Sequence, residues 1–190
     1  MRAISTLVLA LICLAAGIGA GYELALVNEH QRLERNKLLI RLSHEKVWSE
    51  RDNATATRVA REIYVPGFVD HTPEGDSTGL NDFIKGIEEN RGNFPDWTER
   101  VDAIVAEGDL VAARFTSSGT QARDLRAIPR SQPTIPNKGR VLHMPAIEIF
   151  RVSQGRLAEQ WDITDGWNAN AQLGLYDPDH WRESVCGNKP

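Results

Sequence analysis

Cysteine is nearly absent: among 190 residues only Cys13 and Cys186 occur. They sit near opposite ends of the chain, so no disulfide framework holds the fold and a packed core must do so. Also missing are a Cys cluster, a His-Glu-x-x-His helix, a Gly-rich phosphate loop and a Gly-x-Ser-x-Gly elbow. Basic residues are not in excess, with 22 Lys+Arg against 26 Asp+Glu and a net charge of −4. That balance gives no electrostatic footprint for nucleic acid or for an anionic membrane surface, and neither is an expected partner. Hydrophobic residues at 41% and charged residues at 25% are ordinary for a globular protein and exclude wholesale disorder.

The N-terminus reads as a segment apart from the fold. Arg2 is the only charge before Glu23, Leu7 to Ala16 is wholly apolar, and the small residues Gly17-Ile18-Gly19-Ala20-Gly21 follow. A basic start, an apolar stretch and a small-residue exit describe a secretory signal over residues 1–21. Read from Ala3 to Tyr22, the stretch also reaches the ~20 residues of a membrane anchor. Either way the remainder is expected to be exported, periplasmic or extracellular, with a membrane as partner only through an uncleaved N-terminus. The alternating Gly17, Gly19 and Gly21 do not make a dinucleotide fingerprint, because no strand–turn–helix unit surrounds them.

Beyond this segment the spacing predicts helices first and strands afterwards. Residues 28–51 have helical composition without Gly or Pro; positions 22–37 suit an exposed connector, and a domain is expected over 38–175 with a tail over 176–190. Asn53 can cap a second helix through Ala56, Val59, Ala60 and Ile63, which Pro66-Gly67 ends. Phe68 to Pro73 then lead into a polar loop reaching Thr78. Leu80, Phe83, Ile84 and Ile87 fall at i, i+3, i+4 and i+7, the clearest helix of the chain. After residue 97 the period becomes two: Val101–Ala106 and Leu110–Ser118 form a hairpin, and Arg140–Val152 and Arg156–Asp165 form a second pair. Residues 119–139 contain three prolines and no period, which predicts a long loop of the functional kind. A short helix is expected around Asn168–Leu173. Helices followed by hairpin-linked strands indicate an α+β domain with an antiparallel sheet, and a curved sheet with helices over its mouth would enclose a ligand cavity.

The last strand carries the chemical expectation. Leu157, Glu159, Trp161, Ile163 and Asp165 share one face, and its apolar character points it inward. Asp165 then lies at the end of a hydrophobic strip, where burial raises a carboxyl pKa toward the range useful for general acid/base work. The alternative is that Asp165 caps the following helix or ends the strand in solvent; Asp162, on the polar face, reads as solvated. His71 follows a short apolar run and reads as structural or as a site residue. His143 alternates with Ile147 and Ile149 and reads as a core histidine. His30, His44 and His180 read as surface residues. Asp165, His71 and His143 lack the spacing of a metal triad, so no metal is expected.

The order of several strings resembles the SnoaL-like polyketide cyclases, also called ester cyclases, of the NTF2-like superfamily. They are Val47-Trp48-Ser49-Glu50, Phe68-Val69-Asp70-His71, Phe94-Pro95-Asp96-Trp97, Ala106 to Arg114, Gly119-Thr120, Gly155 to Trp161, Asp165 and Gln172-Leu173-Gly174. The resemblance implies an NTF2-like α+β cone, a curved antiparallel sheet whose three N-terminal helices close a pocket, often assembled as dimers or tetramers, with a homodimer as the expectation here. It implies catalysis with neither metal nor organic cofactor on a small, largely apolar carbonyl ligand. Asp165 would serve as general acid/base in an aldol-type ring closure, with His71 as a donor. His143, Trp161, Arg114 and Phe83 would line the substrate. Gln121 stands where the family usually has His, and the enlarged segment Ile128–Gly139 would reshape the pocket rim. The competing functional expectation is an exported, non-catalytic domain that holds a hydrophobic small molecule.

Overall fold

The alternation that makes a strand amphipathic is broken once in the last strand, and that break decides which side chains face the interior. Our computed structural model describes residues 23–72, 75–126 and 133–175. The N-terminal apolar segment, both cysteines, His180 and the tail lie outside them. Helix α1 covers 23–42 and runs into a π-helical turn, Ser43–Trp48, where the Ser49 N–H reaches back to the His44 carbonyl at 3.0 Å. Most side chains of 23–35 are exposed, whereas Asn36, Ile40, Ser43, His44 and Val47 are buried. Helix α2 (Asn53–Ile63) is capped one residue earlier than expected: Asp52 accepts the Thr55 N–H at 2.9 Å. Its Ala56, Ala60 and Ile63 face the core. Helix α3 (Leu80–Asn93) buries Leu80, Phe83, Ile84 and Ile87, the predicted stripe.

The strands are β1 (Tyr64–Thr72), β2 (Gly75–Thr78), β3 (Thr98–Glu107), β4 (Leu110–Thr120), β5 (Leu125–Arg126), β6 (Thr134–Ile135), β7 (Val141–Ser153) and β8 (Arg156–Thr164), followed by helix α4 (Gly166–Gln172). Six of them form one curved, unclosed sheet in the order β2-β1-β8-β7-β4-β3, while β5 and β6 pair separately within the long loop. The NTF2-like α+β architecture is therefore present, with two differences from the expectation. The predicted polar loop up to Thr78 is a strand pair, β1 with β2, and β1 joins β8 in parallel, which makes the sheet mixed. Pro66-Gly67, expected to end the second helix, lies inside β1: the helix stops at Ile63, both residues are exposed, and the β1–β8 register shifts around them between Tyr64 and Val69.

Arg151 pairs with Glu159 and Val152 with Leu157, so Ala158 is an extra residue, a β-bulge. One inserted residue exchanges the two faces of everything that follows. Leu157 points inward before the bulge; after it, buried Gln160 points inward and Ile163, 76% exposed, points out. The inner face packs on α1–α3 around Tyr64, Phe68 and Phe83, whose rings lie 4.7–5.1 Å apart. A smaller cluster of Phe94, Trp97, Leu125, Ile135, Leu142, Ala169 and Leu173 packs at the other end of the sheet. Gly119 is required there, since a Cβ would stand 2.9 Å from both the Phe94 and Trp97 side chains.

Candidate active site

Between α3, the β1–β2 pair, the β5–β6 hairpin and α4 lies a cavity of about 1420 Å³. Trp48, Phe83, Phe94, Trp97, Met144 and Leu173 supply apolar wall, and Asp70, Asn90 and Asn170 supply polar groups within it. A second hollow of about 630 Å³ lies along α2 among Arg58, Arg61, Glu62 and Glu88, exposed or rim side chains with no buried acid or base. The long loop earns its place through Gln121. Its amide donates to the carbonyls of Arg123 and Pro136, both at 3.1 Å, and its oxygen accepts the Lys138 N–H at 3.1 Å. That clamp places Leu125 and Ile135 in the cavity wall.

Most of the residues expected at the site are elsewhere. Asp165 is exposed and caps α4, accepting the Asn168 N–H at 3.0 Å. The expectation that it faces a hydrophobic interior is corrected, because the bulge at Ala158 turns its alternation outward. Trp161 faces the same outer side, half-buried, under the Arg151 guanidinium at 5.7 Å. His71, its register neighbour, stacks on Trp161 with centroids 5.0 Å apart and pairs through Nδ1 with Asp76 at 2.9 Å. It does not line the cavity. His143 is exposed rather than a core histidine; its backbone N–H and carbonyl are both bound by the Gln172 side chain at 2.8 Å. Arg114 is exposed on the outer face and pairs with Asp102 at 3.2 Å. Phe83 is in the cavity wall, edge-on to Trp48 at 5.8 Å. Among the described residues no group of His, Cys, Asp and Glu is arranged to hold a metal ion.

What the interior does hold is a set of acids. Asp70 shares the inner face with Phe68, and its Oδ1 is buried without a hydrogen bond among the described residues. Burial, reinforced by the negative charge of Asp162, raises its pKa from 3.8 to about 6. Asp162, read from the sequence as solvated, is partly buried, and desolvation raises it too. Glu148 lies opposite Asp162 in the β7–β8 register and is held well above the usual carboxylate range by burial and then by the charge of Glu99. His44, expected on the surface, is fully buried with Nδ1 2.7 Å from Glu99 Oε2. Asp70 could have been found by running the alternation from Phe68 through the Phe68-Val69-Asp70-His71 string. No local signal marks His44, whose partners come from distant strands.

A family model described as SnoaL-like polyketide cyclase matches residues 39–173. Among solved structures, TsrD from Streptomyces laurentii is 25% identical with TM-score 0.62, over 75% of this chain and 97% of that one. IdmH from Streptomyces antibioticus, described as a polyketide cyclase, is 26% identical with TM-score 0.58, over 73% and 98%. A protein from Jannaschia sp. CCS1 described as a SnoaL-like polyketide cyclase shares the fold at 19% identity, with TM-score 0.64 over 74% and 92%. No curated protein matches the chain.

Proposed function

Because the chain belongs to the SnoaL-like polyketide cyclase family, we propose that it is a cyclase-type enzyme using Asp70 as general acid/base on a small, largely apolar carbonyl compound. One observation carries the assignment: a buried carboxyl oxygen without a hydrogen-bond partner among the described residues, on a side chain lining a cavity whose wall is part aromatic and part polar. A carboxylate so poorly solvated is a stronger base than one in water, and its pKa of about 6 lets it both take and return a proton near neutrality. The same cavity offers a complementary donor, since Asn90 Nδ2 is buried and likewise without a partner among the described residues.

The step is a proton transfer followed by carbon–carbon bond formation. Asp70 removes a proton from a carbon flanked by carbonyls; the C–H pair becomes the enolate, and an N–H of Asn90 stabilises its oxygen. The enolate carbon attacks a second carbonyl of the same molecule, and protonated Asp70 returns its proton to the new alkoxide. Proton and charge balance within the ligand and Asp70, so the step draws on neither a metal nor an organic cofactor. The aromatic side chains Trp48, Phe83, Phe94 and Trp97 of the wall offer apolar surface against which the folded ligand can pack.

Ligand captured from cell extract on wild type, Asp70→Asn and Asp165→Asn tests this by mass spectrometry. Chemically altered ligand from wild type and Asp165→Asn, but unaltered ligand from Asp70→Asn, supports it. Unaltered ligand from all three overturns catalysis in favour of a binding domain.

Residues 1–21 are read as an export signal or, taken from Ala3 to Tyr22, as a membrane anchor; among the described residues no helix is long and apolar enough to cross a membrane. Terminal sequencing of the mature protein checks removal near residue 21. The partner is a second copy meeting the outer sheet face. There Ile163 lies opposite Ile147, Trp161 opposite Ile149, Ile149 opposite Ala112, and Ala112 opposite Val105, a continuous apolar band. Light scattering on wild type and Ile147→Asp should read a dimer and a monomer; a monomeric wild type contradicts the assembly.

A further inference from the structure

Strand β8 stops before β7 does, and a side chain covers part of what remains. Strand β4 pairs with β7 over Val141–Arg151, whereas the pairing of β8 with β7 ends where Thr164 stands opposite Ala146. The stretch Val141–Pro145 therefore lacks a strand on its β8 side, an edge whose backbone N–H and C=O groups need partners. At His143 both groups point to that edge, and Gln172 of α4 binds the two together. The His143 N–H donates to Gln172 Oε1, and Gln172 Nε2 donates to the His143 carbonyl, each at 2.8 Å. A carboxamide carries a donor and an acceptor side by side, as a strand residue does, so α4 docks on β7 where β8 would otherwise continue. This docking orients the rest of the helix. Its end is closed by the Gly174 N–H on the Ala171 carbonyl at 3.0 Å and the Leu175 N–H on the Asn170 carbonyl at 2.9 Å. Gly174 takes φ +85°, and the Arg140 side chain fills the space that a Cβ there would need. With Gln172 on the edge, the buried Ala169, Asn170 and Leu173 line the cavity, facing Leu142 and Met144, which alternate with His143 along β7.

We propose that Gln172 is a positioning residue that fixes α4 as the end wall of the cavity, and that this wall limits how long an apolar chain the carbonyl ligand can carry. The proposal rests on the reading of the cavity as the place where that ligand meets Asp70. The sheet register gives the span. Asp70 stands opposite Gln160, and Gln160 opposite Phe150, whereas Leu142 lies eight residues further along β7. At about 3.3 Å per residue that is at most about 26 Å of strand, shortened by the curvature of the sheet. Asp70 and Leu142 line the same cavity, so it is elongated, with the carboxyl towards one end and Leu142, Phe94, Trp97, Ala169 and Leu173 clustered at the other. A ligand with its acidic carbon at Asp70 extends its apolar remainder towards α4. The ligand class that fits is therefore a chain-bearing carbonyl compound rather than a compact one. Leu173 follows Gln172 directly, so the two bonds to His143 decide how far this wall stands from β7.

The test uses the full chain and a series of 2,2-dimethyl β-keto esters with linear alkyl chains of increasing length. These have no acidic proton between the carbonyls, so calorimetry reads binding alone. Wild type is expected to bind more tightly with each added methylene up to a limiting length, and about tenfold more weakly one step beyond it. Gln172→Met has similar length but neither donor nor acceptor; it should move the limit to longer chains and weaken the short ones. Gln172→Glu keeps an acceptor for the His143 N–H but sets a carboxylate oxygen against the His143 carbonyl, so the limit should move the same way. Faster amide hydrogen exchange at His143 in each variant reports that the docking is released. A limit that stays at the same length while His143 exchanges freely overturns the proposal, as does a uniform loss of affinity at every length, the mark of a merely structural role. A wild type that binds no member of the series, or shows no limit, overturns it as well. Should Gln172→Met fail to fold, wild type and Gln172→Glu decide. Failure of the ligand-conversion test would remove the catalytic reading and leave the length limit to be read on its own.

Discussion

Replacing Asp70 by Asn should stabilise the protein above neutrality while removing its chemistry. Unfolded, the carboxyl titrates near 3.8; folded, burial and Asp162 raise it to about 6. Below about pH 4 both states carry the protonated acid, so wild type bears no ionisation penalty there. As pH rises from about 4 to 6 the unfolded chain ionises and the native state resists, so native stability falls; above about 7 the penalty is complete. Each tenfold change in proton affinity is worth about 1.4 kcal/mol, which sets an upper limit of about 3 kcal/mol. Partial access of water to the carboxyl discounts that to about 1–1.5 kcal/mol. Urea unfolding of wild type and Asp70→Asn at about pH 4.5 and 7.5 reads the difference directly. The expected result is a small difference at the lower pH and the variant ahead by about 1–1.5 kcal/mol at the higher. A difference independent of pH, or a variant less stable at the higher pH, would refute the burial argument.

Three further substitutions separate structural from chemical roles. Asp165→Ala should lower stability by about 1 kcal/mol through loss of the α4 cap, seen in thermal melts, with ligand conversion unchanged; Asp165→Asn, also a good cap, should match wild type. Gly119→Ala should cost about 1–3 kcal/mol by overpacking, because its Cβ would meet Phe94 and Trp97 at 2.9 Å; denaturant unfolding reads it, and a neutral result would mean the aromatic pair yields freely.

The helices and most strands were legible because each carries contrast at its own period. Leu80, Phe83, Ile84 and Ile87 mark one side of α3 among polar neighbours, and Val111, Ala113 and Phe115 mark one side of β4. The last strand misled for the opposite reason. Ile163 and Trp161 belong to an outer face that is itself apolar, so the bulge at Ala158 left the hydrophobic alternation intact in the sequence while reversing its direction in space. Asp165 went to solvent with that face, and Asp162 and Gln160 went inside. Strand β1 was obscured by Pro66-Gly67, and with it the inward position of Asp70. His44 was illegible for a topological reason: it lies among charged residues on a helix, and Glu99 and Glu148 reach it only once the sheet has folded beneath that helix.

The most direct measurement is hydrogen–deuterium exchange at the acidic carbon of a hydrophobic β-keto ester, followed by proton NMR with the purified protein in deuterated buffer across the pH range. Wild type should accelerate exchange with a rise centred near about pH 6, where Asp70 becomes a base. Asp165→Asn should behave the same way and Asp70→Asn should give only the buffer rate. Exchange that survives in Asp70→Asn, or that is lost in Asp165→Asn alone, would contradict the account.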